Sequence, residues 1–127
     1  MSQTTVNVRY MIKDVAAAAD FYTKYLGFAV ESNAAPAFMA ITRGDLRLLL
    51  SGPGSSGARA LPDGRKPEPG GWNRIQLLVD DLAAEVDRLK RAGLTFRSAI
   101  ISGPGGSQIV LDDPSGNPME LFQQAAH

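Results

Sequence analysis

The stretch Asp113-Pro114-Ser115-Gly116-Asn117-Pro118-Met119-Glu120-Leu121-Phe122 combines a tight turn with a short strand near the end of the chain. Its first five residues are typical of turns, because proline presets φ, Gly116 permits positive φ and asparagine tolerates it. In the strand that follows, Glu120 lies on the opposite face from Met119 and Leu121, since successive side chains alternate. A lone glutamate on the inner face of a sheet is a ligand, a catalytic group or half of an ion pair.

The composition excludes several classes of function. The 127 residues are enough for one domain with a hydrophobic core. With 13 basic and 13 acidic residues the chain carries no net charge, so the sequence gives no support for nucleic-acid binding. No cysteine is present, and His127, expected to be frayed, is the only histidine, which argues against disulfides, histidine triads and sites of several histidines. No apolar run approaches the length of a membrane span and no secretory signal is visible, so we expect no membrane association and a cytoplasmic protein.

Hydrophobic periodicity predicts a strand, a helix and three further strands in the first half of the chain. Asp14 is a suitable N-cap for the helix, and Gly27 suits the position that ends it. The predicted strands cover 4–12, 28–31, 38–42 and 46–50, and the predicted helix covers 15–26. A turn at 43–45 joins the last two strands into a hairpin.

The segment 51–71 interrupts this pattern. Ten of its 21 residues are glycine or proline, so we expect little regular structure and interpret it as a lid or a linker. The order of elements then repeats, with strands at 74–79, 96–101, 108–111 and 119–122. A helix capped by Asp81 and ended by Gly93 follows the first of these strands, and Leu82, Val86 and Leu89 form its buried stripe.

The two halves are an internal repeat. Residues 7–17 align with 74–84, and both helices end in a glycine followed by an apolar residue. The repeat predicts one α+β domain over 1–127, made of two βαβββ modules at 4–50 and 72–123. Each sheet is expected to cover its outer face with a helix, and the curved inner faces are expected to enclose a cleft. Matching Gly44 to Gly116 as turn glycines makes Leu48 the counterpart of Glu120.

Three motifs together resemble the vicinal oxygen chelate superfamily, which contains glyoxalases, bleomycin-resistance proteins, fosfomycin-resistance enzymes and extradiol dioxygenases. The motifs are Lys13-Asp14-Val15 with Phe21-Tyr22-x-x-Tyr25-Leu26-Gly27-Phe28, then Val79-Asp80-Asp81-Leu82, then the stretch from Asp113 to Leu121. The resemblance covers nearly the whole chain except 51–71. It implies this fold but does not by itself imply one reaction, because one fold hosts many functions.

The resemblance also implies four metal-ligand positions, which fall on Asn7, Leu48, Arg74 and Glu120. Only Glu120 carries a ligand typical of the metalloenzymes. Leu48 has no ligating atom, and the guanidinium of Arg74 cannot be deprotonated. Zinc and transition metals need several good donors together, so we predict a site without a metal or other cofactor.

The remaining polar and aromatic residues define a candidate ligand site. Arg74 and Glu120 form a structural ion pair or orient a polar ligand, and the sequence leaves both alternatives open. Arg9 and Gln76 occupy equivalent positions of the repeat on the inner faces. An apolar wall for a flat ligand is predicted from Met11, Phe38 and Trp72, although any one of them is also compatible with ordinary core.

Two classes of function follow from this site. The first is a metal-independent protein that sequesters a planar or aromatic small organic molecule, as the resemblance to bleomycin-resistance proteins implies, with Asn7, Arg74, Gln76 and Glu120 as polar anchors. The alternative is a glyoxalase-like lyase or isomerase in which Glu120 is the general acid/base and Arg74 the electrostatic stabiliser. A third possibility is a role in protein–protein interaction without a ligand. We expect a homodimer, the commonest symmetric assembly.

Overall fold

The computed structural model describes residues 6–126, so the predicted strand positions 4 and 5 and the predicted fraying of His127 lie outside the described residues. The two helices are α1 (Val15–Tyr25) and α2 (Leu82–Arg91). The eight strands are β1 (Val8–Met11), β2 (Ala29–Ala34), β3 (Phe38–Arg43), β4 (Leu46–Ser51), β5 (Ile75–Leu78), β6 (Ile101–Gly103), β7 (Gly106–Asp112) and β8 (Pro118–Gln124).

The strands form two four-stranded sheets of the same topology. The order is β1-β4-β3-β2 in the first sheet and β5-β8-β7-β6 in the second. In each sheet the first strand pairs in parallel with the last, and the other pairs are antiparallel. Both sheets are therefore mixed and open, and the predicted α+β arrangement of two βαβββ modules is confirmed.

Both helices begin directly after the predicted N-cap, and each ends two residues before the glycine predicted to end it. The Asp14 carboxylate accepts a hydrogen bond from the Ala17 amide at 3.1 Å, and Asp81 accepts one from Ala84 at the same distance. These caps satisfy amide groups that have no partner within a helix. Past the last turns, Gly27 has φ of 75° and Gly93 has φ of 91°, which only glycine adopts at low cost.

One face of each sheet packs on its helix through side chains of alternate positions. In the first sheet these are Met39, Ile41, Leu48 and Leu50, which are buried with the inner stripe of α1. In the second sheet they are Leu77, Ile109, Leu111, Met119 and Leu121, buried with Leu82, Val86 and Leu89 of α2. The predicted stripe of α2 is confirmed. We call the other side of each sheet its open face.

The prediction of a continuous strand over 96–101 is wrong. Phe96 forms only an isolated bridge with Leu111, and regular pairing begins at Ile101, opposite Gln108. The step from Ile101 to Phe96 spans five residues, whereas the partner steps three residues from Gln108 to Leu111. Two extra residues cannot pair, so the intervening segment leaves the ladder.

The chain divides into two compact units. The first unit runs to Gly70 and also contains Pro114–Asn117, and the second contains Gly71–Asp113 and the chain from Pro118 onward. As predicted, the segment 51–71 has little regular structure, only a 3-10 turn at Ser56–Ala58. Within residues 6–126, neither helix has the length and apolarity needed to cross a membrane.

Candidate functional site

Glu120 is a buried carboxylate at the centre of the second sheet. Strand β8 pairs with β5 on one side and β7 on the other, so Glu120 lies between Gln76 and Val110 in one row. Directly paired residues share a face, which places these three side chains on the open face. The alternation of side chains along β8 sends Met119 and Leu121 to the helix side, as predicted.

Both oxygens of the Glu120 carboxylate accept hydrogen bonds. The Nε of Arg74 donates to Oε1 at 2.9 Å, and the Nε2 of Gln76 donates to Oε2 at 2.6 Å. The side chain of Glu120 is 8% exposed and that of Arg74 is 26% exposed, so the guanidinium reaches solvent from a buried anchor. Arg74 and Glu120 thus form an ion pair, and charge-assisted hydrogen bonds of this kind fix the orientation of the two side chains.

This arrangement leaves oriented polar groups on the second unit. Only the Nε of Arg74 is engaged, and its two Nη groups have no hydrogen-bond partner among residues 6–126. The side-chain oxygen of Gln76 is likewise without a partner within that range. A guanidinium fork and an amide oxygen held by one carboxylate can bind a polar group of a ligand in a defined orientation.

The pairing registers correct the predicted equivalence between the two units. In the first sheet Arg9 pairs with Leu49, whereas in the second Gln76 pairs with Glu120. Leu49, rather than Leu48, is therefore the counterpart of Glu120. The prediction failed because the turn between β3 and β4 has two residues and the turn between β7 and β8 has five, so the two turn glycines are not equivalent.

Leu48 lies on the helix side of the first sheet. It pairs with Ile41 and is fully buried, whereas Leu49 is 8% exposed and lies on the open face with Ala40. A shift of one residue moves a side chain to the opposite face of a strand. The first unit therefore presents leucine at the position where the second presents a carboxylate.

The open face of the first sheet brings together three other predicted site residues. Ser51 pairs with Met11 and with Phe38, so these side chains share one row, and Arg9 lies in the next row. The Nη1 of Arg9 donates to the Ser51 hydroxyl at 2.7 Å. A side chain at position 57 would collide with the Arg9 guanidinium, which packs directly on the glycine there. Asn7 precedes β1 and is exposed.

Trp72 belongs to a separate cluster in the second unit. Trp72 is 72% exposed, and the guanidinium of Arg97 lies 4.7 Å from the centroid of its ring. Arg97 is fixed by Asp112 at 2.6 Å and by the Gly71 carbonyl at 2.9 Å. Nothing in the sequence points to this role of Arg97, because a cation 25 positions from its aromatic partner leaves no periodic signal.

The turn from Asp113 to Asn117 contains two further polar residues whose role sequence reasoning missed. The Ser115 hydroxyl accepts a hydrogen bond from the Lys13 amide at 2.8 Å. Asn117 accepts one from the Gly70 amide and donates one to the Met11 carbonyl, both at 2.8 Å. Both side chains are buried within the first unit, so the turn chemistry also has a structural function there.

The residues present do not fit a metal centre. Among residues 6–126 no group of three histidine, cysteine, aspartate or glutamate side chains comes together as a ligand set. Of the four implied positions, Glu120 already accepts two hydrogen bonds and Arg74 is a cation. The position predicted at Leu48 and corrected to Leu49 is again a leucine. The remaining position, Asn7, offers only a weak neutral ligand, which is not enough to hold a metal ion.

Topology, register and motifs agree with the similarity found at the level of sequence. The sequence profile of the Glyoxalase/Bleomycin resistance protein/Dioxygenase superfamily matches residues 4–121. The chain belongs to this superfamily, the vicinal oxygen chelate group that the sequence motifs resemble. No curated protein sequence matches the chain.

Solved structures share the fold over almost the full chain. Lactoylglutathione lyase from Agrobacterium tumefaciens has a TM-score of 0.75 at 20% identity, covering 97% of this chain and 95% of the other. TnmS3, an antibiotic binding protein from Streptomyces sp. CB03234, has a TM-score of 0.69 at 22% identity, covering 98% and 100%. A superfamily member from Sphaerobacter thermophilus has a TM-score of 0.71 at 26% identity, covering 94% and 98%.

Proposed function

We propose that this protein binds and sequesters a planar or aromatic small organic molecule without a metal. The observation that carries the proposal is the use of Glu120. Its carboxylate holds Arg74 and Gln76 in place, so the free Nη groups of Arg74 and the amide oxygen of Gln76 serve as polar anchors. Such a site needs no catalytic base, because sequestration follows from mass action alone.

In the second unit, which holds these anchors, an aromatic side chain offers a surface for a flat ligand. Trp72 is 72% exposed and presents its indole there. Ligand sites usually combine apolar walls with a few placed polar groups. TnmS3, which shares the fold, is an antibiotic binding protein, and this similarity motivates the choice of ligands.

Titration with flat aromatic compounds tests the proposal. A panel of naphthoquinones, acridines and flavones is titrated against the whole protein, with Trp72 fluorescence and thermal shift as readouts. We expect at least one compound to bind. Arg74→Lys retains the charge but loses the planar fork and should weaken binding by about tenfold or more. The control Arg88→Lys alters an exposed ion pair on α2 and should leave binding unchanged.

The enzymatic alternative gives a different result in the same samples. A binding protein returns the compound unchanged, as checked by mass spectrometry after long incubation. In a glyoxalase-like lyase or isomerase, a chemically altered product would form, and Glu120→Gln would abolish its formation while binding persisted. That outcome would overturn sequestration and assign Glu120 as the general acid/base.

Metal independence is tested separately. Metal analysis of the dialysed protein should find no stoichiometric nickel, zinc or iron, and a chelator should leave ligand affinity unchanged. A stoichiometric metal that is required for binding would contradict the proposal, whatever the ligand.

We also propose a homodimer. Leu78, Phe122 and Ile101 lie in one row on the open face of the second sheet, and the first and last are more than half exposed. Apolar side chains of this kind favour association. Light scattering should give twice the mass of one chain, and Leu78→Lys with Ile101→Lys should reduce it to the monomer. A wild-type monomer at high concentration would contradict the dimer.

A further inference from the structure

A cavity of about 320 Å³ lies within the first unit, between the ends of β1 and β4 and the segment that follows β4. Its floor includes Met11 and Ser51, the last residues of these two strands. Its volume falls at the lower end of the range typical of small-molecule sites, which is about 300–1,000 Å³.

The wall of the cavity is held in place by hydrogen bonds. The Gly52 amide donates to the Ala37 carbonyl at 2.8 Å where the segment begins, and Leu61 donates to the Arg65 carbonyl at 2.7 Å across its middle. At its end, Gly70 donates to Asn117, which in turn donates to Met11. The lining also includes Pro53, Pro67 and Pro69, whose rings restrict the backbone. The cavity is therefore preformed.

Three cations line this cavity and no carboxylate does. They are Lys13, Arg59 and Lys66. Within residues 6–126, none of the three side chains forms an ion pair or a hydrogen bond. The neighbouring Arg65 differs, because it is paired with Asp63 at 2.7 Å and does not line the cavity.

Three charged groups outside the lining also bear on the local electric field. Arg9 donates to the hydroxyl of Ser51, so a fourth cation lies directly behind a residue of the cavity floor. Two carboxylates, Asp14 and Glu68, are chain neighbours of lining residues, but neither lines the cavity. Like charges focused in a concave site attract an ion of opposite charge.

We propose that this cavity binds an organic anion. A carboxylate or phosphate group is held by Lys13, Arg59 and Lys66, and an apolar body lies against Met11 and the prolines. The site goes beyond the proposed function, whose polar anchors Arg74 and Gln76 belong to the second unit.

The first test compares ligands that share a naphthalene ring and differ in the charge and the chemistry of the head group. The whole protein is titrated by calorimetry with 1-naphthyl phosphate, 1-naphthoate and neutral 1-naphthol. At least one anion should bind tenfold or more tightly than 1-naphthol, and its binding should weaken as salt is raised. The stronger of the two anions identifies the head group. Affinities of all three compounds within twofold of each other, or no binding, would overturn the proposal.

The second test localises the site. Arg59→Gln with Lys66→Gln should lower the affinity for the better anion at least tenfold. The control Lys24→Gln with Lys90→Gln removes the same charge from the last turns of the two helices and should change the affinity less than twofold. Equal losses in both variants would indicate net charge alone and refute the cavity. Thermal melts verify that both variants are folded.

Backbone amide shifts separate this site from the one in the second unit. On addition of the anion, Gly57 and Gly64 of the loop should shift while the amide of Glu120 should not. Arg74→Lys should leave anion binding unchanged. Shifts confined to the second sheet, or loss of anion binding in Arg74→Lys, would assign the anion to the other site and overturn the inference.

Discussion

The two units have the same strand order but opposite chemistry at equivalent positions. In the second sheet the position opposite Gln76 is Glu120, whose carboxylate engages both Gln76 and Arg74. In the first sheet the position opposite Arg9 is Leu49, so the guanidinium of Arg9 turns to the hydroxyl of Ser51 instead. The buried residues on the helix sides of both sheets are apolar. Packing on the helix therefore defines the fold, while the open face is free to differ between the two units.

The largest effect is expected from placing a carboxylate on the wrong face of β4. Leu48→Glu buries a charge among the apolar side chains beneath α1 and should cost about 4 kcal/mol or more, enough to unfold a marginal domain. Leu49→Glu places the charge beside Arg9 and should cost only about 1–2 kcal/mol. Urea denaturation followed by circular dichroism measures both. Equal costs would contradict the register that makes Leu49 the counterpart of Glu120.

Removal of the carboxylate from the second sheet should have the next largest effect. Glu120→Leu leaves Arg74 and Gln76 without their acceptor, and we expect a loss of about 2 kcal/mol because Arg74 retains partial access to solvent. The control Glu31→Leu breaks the exposed pair with Arg47 and should cost less than about 1 kcal/mol. If both variants lose the same stability, the buried network contributes no more than a surface pair.

Asn117→Ala should destabilise the first unit although the residue lies far along the chain. It removes hydrogen bonds to Gly70 and Met11, and we expect a loss of about 1–2 kcal/mol with faster amide exchange at Gly70. Asn33→Ala removes one exposed local bond and should cost about 0.5 kcal/mol or less. Unchanged exchange at Gly70 would mean that Asn117 does not hold the loop.

The smallest effect is expected at the exposed indole of the second unit. Trp72→Ala removes the contact with Arg97 and should cost about 0.5–1 kcal/mol, since an exposed cation–π pair contributes little. Trp72→Phe keeps a ring face and should cost less than Trp72→Ala in the same thermal melts. A loss in Trp72→Ala as large as that in Glu120→Leu would show that Trp72 belongs to the core.

The features that the sequence predicts correctly depend on local signals. Asp14 and Asp81 are caps, Gly27 and Gly93 end helices, and apolar side chains repeat with the period of each element. These signals act within a few residues and survive in each module, so the repeat and the family could be recognised. The sequence also indicates that Arg74 and Glu120 lie near each other, because both fall on motif positions, but it leaves open whether they form an ion pair or orient a ligand.

The features that sequence reasoning missed depend on how the strands pair and on contacts between residues far apart in the chain. The register of β4 could not be read from turn glycines, because the two hairpins have turns of different length. The segment before β6 has two residues more than the part of β7 opposite to it, which no secondary-structure propensity reveals. The contact of Arg97 with Trp72 and that of Arg9 with Ser51 join positions with no shared period.

The turn at 114–117 also bears on when the first unit can complete its folding during synthesis. During synthesis nearly all of the first unit leaves the ribosome before Ser115 and Asn117, and N-terminal parts of a protein generally fold first. The amides of Lys13 and Gly70 and the carbonyl of Met11 can form their contacts with this turn only after it has emerged. The N-terminal half of the protein is therefore completed from the C-terminal end, and a nascent chain stopped before Pro114 would present an unfinished first unit.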